Sequence, residues 1–577
     1  MQIKLSRLLV FISIATMLLH CASPSAEKEK ATLADLIIVN GNVTTMDKAQ
    51  PKAQAIAIKN HRILKVGSNE AIQLLAGEKT KTIDAKGNFV MPGFIEGHGH
   101  YLGLGESMIN LNLLQTKNWQ EILDKVAEKV KTAKPGEWIM GRGWHQEKWD
   151  QPLDRQVEGY PLHDELSALT PNNPVLLSHA SGHASFANAK AMEMVGISKE
   201  TPDPSGGAII RDQSGSPIGV FEERAEDALW MAWQEFYNKQ SPEAQKAHWL
   251  EKIRAAEKEC LAKGITSFQD AGLHYQDLEW LKELAEAGEL NVRLWVMIRH
   301  SYEVMKDKLE GFPWLDLGEH YLSVKAIKTE VDGALGSRGA WLLEAYHDKP
   351  GSHGHNTTTI KEVENIASLA NKHNLQLCVH AIGDRANREV LDIFERNFKA
   401  NPEKKDWRWR IEHAQHLNPE DIPRFKELNV IASMQGIHCT SDAPFVVERL
   451  GEERARTGAY AWRALLDQGV VIANGTDAPV EDVSPIASFY ASVTRKRADS
   501  GMAFFSEQAM TRQEALYSYT LGNAYAGFEE TEKGSLEVGK LGDVVILSED
   551  LLTCEDGEIL GAEVLWTIVG GEVKVGE

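Results

Sequence analysis

Cysteine is scarce in this chain: five in 577 residues, too few and too widely spaced for a disulfide framework. Cys260, Cys378, Cys439 and Cys554 stand far apart in mostly apolar contexts, so buried free thiols are expected. Basic charge is also in deficit. Against 83 Asp and Glu there are 62 Lys and Arg, a formal net charge of -21, which argues against nucleic acid or an anionic membrane face as a partner. A glycine-rich phosphate loop of the kind that marks a doubly wound nucleotide-binding sheet is missing. The apolar run from Leu8 to Leu19 is too short to span a bilayer.

What is present points to a large globular protein. A hydrophobic content of 43% over this length suffices for a sizeable core and for more than one domain. Lys4, Arg7 and the run Leu8–Leu19 read as an export signal over residues 1–21. Leu18-Leu19-His20-Cys21 resembles a bacterial lipoprotein cleavage box, except that a small residue normally stands where His20 does. Lipidation of Cys21 and ordinary cleavage nearby are therefore two open readings, and residues 22–34 form a flexible tether in either. Export of this kind places the protein in the periplasm or, with a lipid on Cys21, on the cell envelope. If lipidation holds, Cys21→Ser is expected to release the protein from the membrane fraction; a variant that still partitions with membranes sinks it.

Short β-type runs separated by turn signals fill residues 35–92, and a matching pattern recurs over 533–577. Together these ends are expected to build one small, discontinuous β-sandwich around an inserted catalytic domain. The middle alternates strands with helices. GFIEGH, GITSFQD, VRLWVMI, LSVKAIKTEVDG, LQLCVHAIGD, WRIEHAQH, NVIASMQ and VVIANGTD are the strand candidates. Between them lie helical stretches such as the one opening at Ser241-Pro242 and ending at Gly264. The expected fold class is thus α/β, a (β/α)8 TIM barrel over 93–104 and 264–532 with catalytic groups at the strands' C-terminal ends. An open doubly wound sheet is the rival. Residues 105–263 are too many for a barrel loop and its helix, so they are expected to form an inserted lid over the mouth, where Trp144, His145, His179 and His183 are candidate substrate contacts. Histidines in such loops are more often solvated or structural.

Ligand-type residues close one strand after another. On an extended strand, residues i and i+2 share a face, so His98 and His100 in Gly97-His98-Gly99-His100 can aim both rings at one point. Lys328 lies in an apolar strand four residues before Asp332, where a bare ammonium is costly to bury. His380, His413 and Asp477 end three further strands. Any one of them could be a turn residue; their convergence at barrel-like spacing indicates a metal centre.

That order of residues resembles the amidohydrolase superfamily of metal-dependent hydrolases. The segments VDGALGSRGAW, VHAIGDRA, IEHAQHL, SMQGIHCTSDAP and NGTDAPVEDVSP are similar to its family-3 branch, which includes N-substituted formamide deformylases. The similarity runs from about Leu36 to the C-terminus. It implies that His98 and His100 hold one divalent metal with Asp477, that His380 and His413 hold a second, and that Lys328 bridges them as a carbamate. Lys325, three residues earlier, is a competing lysine that only the spacing to Asp332 disfavours. The implied cofactor is one or two zinc ions, although iron, manganese and nickel suit similar ligands.

Zinc draws the pKa of a bound water to about 7, which implies hydroxide attack on a polarised carbonyl, with Asp477 as base and then acid. Arg338, after the GALGS loop, is a candidate to grip a substrate carboxylate or carbonyl. Gln435 and His438, following the seventh strand, are further substrate-contact candidates. Asp442 and Asp384 read as supporting or helix-capping residues. The expected reaction is hydrolysis of a non-peptide amide or related carbon–nitrogen bond in a small molecule. Hydrolysis of a lactone, cyclic imide or N-acyl amino acid is the alternative, and a non-catalytic tethered binding protein the third reading. The expected partner is a small-molecule substrate; the membrane is reached only through Cys21, and a homodimer is an open assembly.

Overall fold

A computed structural model describes residues 32–576 apart from 115, 147–148, 180–183 and 205–206. The expected signal, Cys21 and most of the tether lie outside the described residues. Eight parallel strands occupy the centre: β1 (Phe94–Gly99), β2 (Ile265–Leu273), β3 (Arg293–Ile298), β4 (Leu322–Glu330), β5 (Gln376–Ala381), β6 (Arg410–His413), β7 (Ile431–Gln435) and β8 (Ile472–Gly475). They pair neighbour to neighbour in chain order, and each overlaps one of the eight runs read from the sequence, β1 and β2 running on past the ends of theirs. Strands buried on both faces read as near-continuous apolar runs, and β3 is buried at every position.

The ring nearly closes between β8 and β1, which overturns the open-sheet rival. The Asp477 N–H donates to the His98 carbonyl at 2.8 Å, and the Asn523 amide bridges the carbonyls of Ile95 at 2.5 Å and Asn474 at 2.7 Å. This seam needs glycine. A Cβ on Gly97 would lie 2.4 Å from Asn523 Oδ1 and 2.6 Å from the Asn474 carbonyl, so a side chain there would push the first and last strands apart. Amphipathic helices pack outside the ring; Asp384–Ala400 buries Val390, Leu391 and Phe394, and Ile360–Lys372 buries Val363, Ile366 and Ala367.

The chain leaves the barrel directly after β1 through the helix Tyr101–Ile109 and returns through Pro242–Ala262. Ser241 caps the second helix by accepting from the Ala244 N–H at 3.2 Å, with Pro242 in its first turn, as the sequence indicates. The two helices cross closely: a Cβ on Gly105 would come within 1.9 Å of the Lys252 carbonyl, and Lys252 pairs with Glu106 at 2.5 Å. Between them a six-stranded sheet includes Ile139–Trp144, Val175–His179 and the antiparallel pair Gly207–Arg211 and Pro217–Glu223.

Strands from both ends of the chain meet. Val544–Leu547 pairs antiparallel with Phe89–Pro92 in a six-stranded sheet, and a four-stranded sheet holds Leu36–Val39. Ile38, Ile56 and Ile58 from the latter share a buried cluster with Val90, Val544, Ile546 and Ile568 from the former.

Candidate metal centre

The C-terminal ends of β1, β4, β5, β6 and β8 bring together the six ligand-type residues that the sequence singles out. His98 is fully buried, whereas the His100 side chain is 31% exposed and stands at the start of helix Tyr101–Ile109. Asp477 follows β8. Its Oδ1 lies 3.3 Å from His100 Nε2 and 3.5 Å from His98 Nε2. Lys328 Nζ lies 3.4 Å from His98 Nε2. The His413 ring sits 4.9 Å from that of His98 and 4.4 Å from that of His380, centroid to centroid. Lys325 points elsewhere, its ammonium 4.0 Å from the Phe528 ring centroid. His413 at φ 73° and Asp477 at φ 57° hold left-handed backbone conformations, uncommon outside glycine and concentrated where a site dictates geometry.

Burial sets the charge of these groups. It pushes the His98 imidazole down to about 4, with the Lys328 ammonium adding to the effect. His380 falls to about 3 for the same two reasons, and His413 drops well below the usual histidine range through burial and the neighbouring His380. Burial thus favours the neutral form of each of these rings. Burial alone would raise Asp477, but His100 beside it and the imidazoles of His98 and His413 outweigh that and hold it well below the ordinary carboxylate value. Burial also lowers the Lys328 ammonium, against the pull of Glu412 and Asp477.

The donor set fits a divalent metal. His98, His100 and Asp477 each offer a ligand atom, and these atoms all lie within 4.8 Å of one another. Two ligands bound tetrahedrally at about 2.0–2.1 Å stand about 3.3 Å apart, close to the two distances to Asp477. Asp477 Oδ1 and His380 Nε2 are buried without a hydrogen-bond partner, the condition a bound cation relieves. The outer nitrogens are tied back. His98 Nδ1 is hydrogen-bonded to Glu412 Oε2, and His413 Nδ1 to Gln435 Oε1 at 2.7 Å, which turns each Nε2 inward.

Above these groups opens a cavity of about 400 Å³ whose walls include Arg299, Glu330, Leu335, Ile382, Gln415, His438, Phe445 and Val480. His438 behaves as a wall residue: its ring stacks parallel to that of His413 at 6.3 Å, and its Nε2 has no hydrogen-bond partner. Asp442, also in the wall, accepts from the Tyr460 hydroxyl at 2.5 Å and from Gln415 Nε2 at 3.1 Å. Asp384 accepts from the Leu343 and Arg385 N–H groups, both at 2.9 Å, where helix Asp384–Ala400 begins.

Other candidates sit elsewhere. Arg338 is turned from the cavity; its guanidinium donates to Asp348 at 2.5 Å, and the arginine on the wall is Arg299. Gln435 is 2% exposed and engaged with His413, so it orients a ligand ring. Trp144 is a core residue of the inserted sheet: strand geometry turns its indole inward, where it is 1% exposed and donates to the Leu177 carbonyl at 2.7 Å. His179 packs 4.7 Å from the Trp144 ring and 4.6 Å from His145; none of the three lines the cavity. His183 lies outside the described residues. The insertion does approach the centre, since Arg142 makes a long hydrogen bond of 3.5 Å to the Pro479 carbonyl.

Glu412 and Asp332 carry roles that motif reading missed. Asp332 serves only as a spacing marker in the sequence, yet its carboxylate accepts from the N–H groups of Ile382 at 2.9 Å and of Gly383 and Trp341 at 2.8 Å, splinting the turn after His380. Their signal was the one that marked Lys328, a charge set in or against an apolar strand.

Fold and site together define a (β/α) barrel with a candidate histidine–carboxylate metal centre at the strands' C-terminal ends. The family model described as the amidohydrolase family matches residues 81–575, and the chain belongs to that family. It is accordingly a hydrolase acting on carbon–nitrogen bonds. The chain is 33% identical to the protein LONG AFTER FAR-RED 3 of Arabidopsis thaliana, over 94% of its own length and 91% of the relative's. It is 28% identical to the N-substituted formamide deformylase of Arthrobacter pascens, over 94% and 98%. Among solved structures, an uncharacterized metal-dependent hydrolase from Pyrococcus furiosus superimposes with a TM-score of 0.72 at 28% identity, over 90% of this chain and all of that one.

Proposed function

We propose that this protein hydrolyses a non-peptide amide or related carbon–nitrogen bond of a small molecule bound in the cavity above His98, His100 and Asp477. The convergence of three buried or half-buried acceptor atoms, two imidazole and one carboxylate, at the base of that cavity carries the reading. His98, His100 and Asp477 would hold one divalent metal, and His380 and His413 a second, with Lys328 between them. A metal there supplies Lewis acidity and lowers the pKa of a water to about 7. Lowering of the Lys328 ammonium by burial favours the free amine, which would add to carbon dioxide with release of one proton to give a carbamate, an anionic oxygen ligand suited to a metal. Asp477, ionised and facing the cavity floor, takes the proton of the attacking water and delivers it to the departing nitrogen.

The walls choose the substrate. Leu335, Ile382 and Phe445 present an apolar face that suits an alkyl or aryl substituent, in keeping with the N-substituted formamides named for the Arthrobacter pascens relative. Arg299, paired with Glu330 at 2.7 Å but 42% exposed, is held weakly enough to exchange partners. That favours, as a second reading, an N-acyl amino acid whose carboxylate replaces Glu330. Metal-loaded protein assayed against N-alkyl and N-aryl formamides, N-acyl amino acids, cyclic imides and lactones is expected to turn over the formamides best. A panel with no carbon–nitrogen hydrolysis overturns the proposal, and a preference for N-acyl amino acids selects the second reading.

We read the two terminal sheets as one discontinuous β-sandwich, supported by their shared buried cluster, and residues 105–263 as a lid, supported by the contact between Arg142 and Pro479. We also propose export, with or without a lipid on Cys21, on the strength of Lys4, Arg7 and the apolar run Leu8–Leu19 alone.

A further inference from the structure

Behind the ligands runs a second tier of polar groups sealed from water. Glu412 on β6 is 0% exposed and holds His98 Nδ1 through Oε2. Its other oxygen lies 2.9 Å from Nε of Arg410, also 0% exposed. Arg410 donates from Nη1 to Gln269 Oε1 at 2.5 Å, and Gln269 donates to the Asn523 carbonyl at 2.8 Å. The guanidinium also lies 4.7 Å from the Trp295 ring centroid. This chain crosses the barrel interior from the metal-ligand ring to the residue that bridges the seam. His413 is served differently, by the neutral carboxamide of Gln435.

Such a network is a poor way to gain stability, because well-packed apolar side chains in place of a buried ion pair are often as stable or more so. Its geometry serves the ligand. An acceptor at Nδ1 keeps the His98 proton on that nitrogen and the lone pair on Nε2, toward His100 and Asp477. A carboxylate does this more strongly than a carboxamide and makes the ring a better donor to a metal. We infer that Glu412, held in a buried ion pair with Arg410, is a positioning residue that makes the His98–His100–Asp477 group the tighter metal-binding half of the centre, and the His380–His413 half the weaker.

This rests on the metal-dependent reading above and is tested without turnover. Metal-depleted full-length protein is titrated with zinc against a chromophoric chelator. The wild type is expected to take up a first equivalent more tightly than any second. Glu412→Gln, nearly the same shape, should weaken the first equivalent about 10- to 100-fold, whereas Gln435→Leu should leave the first equivalent unchanged. Circular dichroism of the apo variants should match the wild type, separating the effect from a general loss of structure. If Glu412→Gln does not fold, Glu412→Asp, which keeps the charge but withdraws it by one methylene, takes its place and should weaken the same equivalent. First-equivalent affinity within twofold of wild type in the folded variant overturns the inference alone. A wild type that binds no zinc overturns both it and the functional proposal.

Discussion

Asp477→Asn is expected to lower kcat by about 10²- to 10⁴-fold while leaving the fold intact. Asparagine keeps the shape of the residue, its left-handed backbone and the N–H donated to His98 across the barrel seam. It loses the negative charge that faces two imidazole nitrogens at 3.3 and 3.5 Å and the basicity needed to accept a proton. Both losses fall on the chemistry. The measurement is kcat and zinc content on the same preparation, with thermal unfolding as the check on structure. A variant with full zinc and turnover near wild type would leave Asp477 as a turn residue only.

Removing the metal is expected to be at least as severe. Losing about 4 kcal/mol of transition-state stabilisation, a modest share of what a Lewis-acidic ion provides, slows a reaction about a thousandfold. Dialysis against a strong chelator should therefore abolish measurable turnover, and zinc, cobalt or manganese should restore it to differing extents. Thermal unfolding should shift with it, because a ligand at a thousand times its Kd stabilises the folded state by about 4 kcal/mol. Turnover that survives exhaustive chelation, with metal analysis showing none left, would rule out metal-dependent hydrolysis.

The barrel was legible because its strands are short, mostly buried runs rich in apolar residues, and each meets a turn signal. His98, His100, Lys328, His380, His413 and Asp477 were legible because each stands at or near a strand end, where backbone geometry alone converges side chains on one mouth. Lys328 also advertised itself as a charge in an apolar run. Side-chain direction in loops is what the sequence hides. Arg338 sits near the mouth in sequence, but its φ of 61° and the carboxylate of Asp348 turn it away. Gln435 was placed at the correct strand end with the wrong partner, a histidine ring instead of a substrate. Glu412 escaped for a sharper reason. Strict alternation puts residues 412 and 413 on opposite faces of a strand; the left-handed turn at His413 breaks the period, so both reach the same interior.

The pairing of Phe89–Pro92 with Val544–Leu547 has a consequence in the order of events during synthesis. Phe89–Pro92 is made long before its antiparallel partner Val544–Leu547. Contacts between segments so distant in sequence form slowly, and domains made from a continuous stretch fold first. Until Val544–Leu547 arrives, Val90 and Met91, both 0% exposed in the folded structure, stand at an open edge next to β1. Synthesis of Val544–Leu547 is thus the event that covers the segment leading into β1, the strand that carries His98 and the approach to His100.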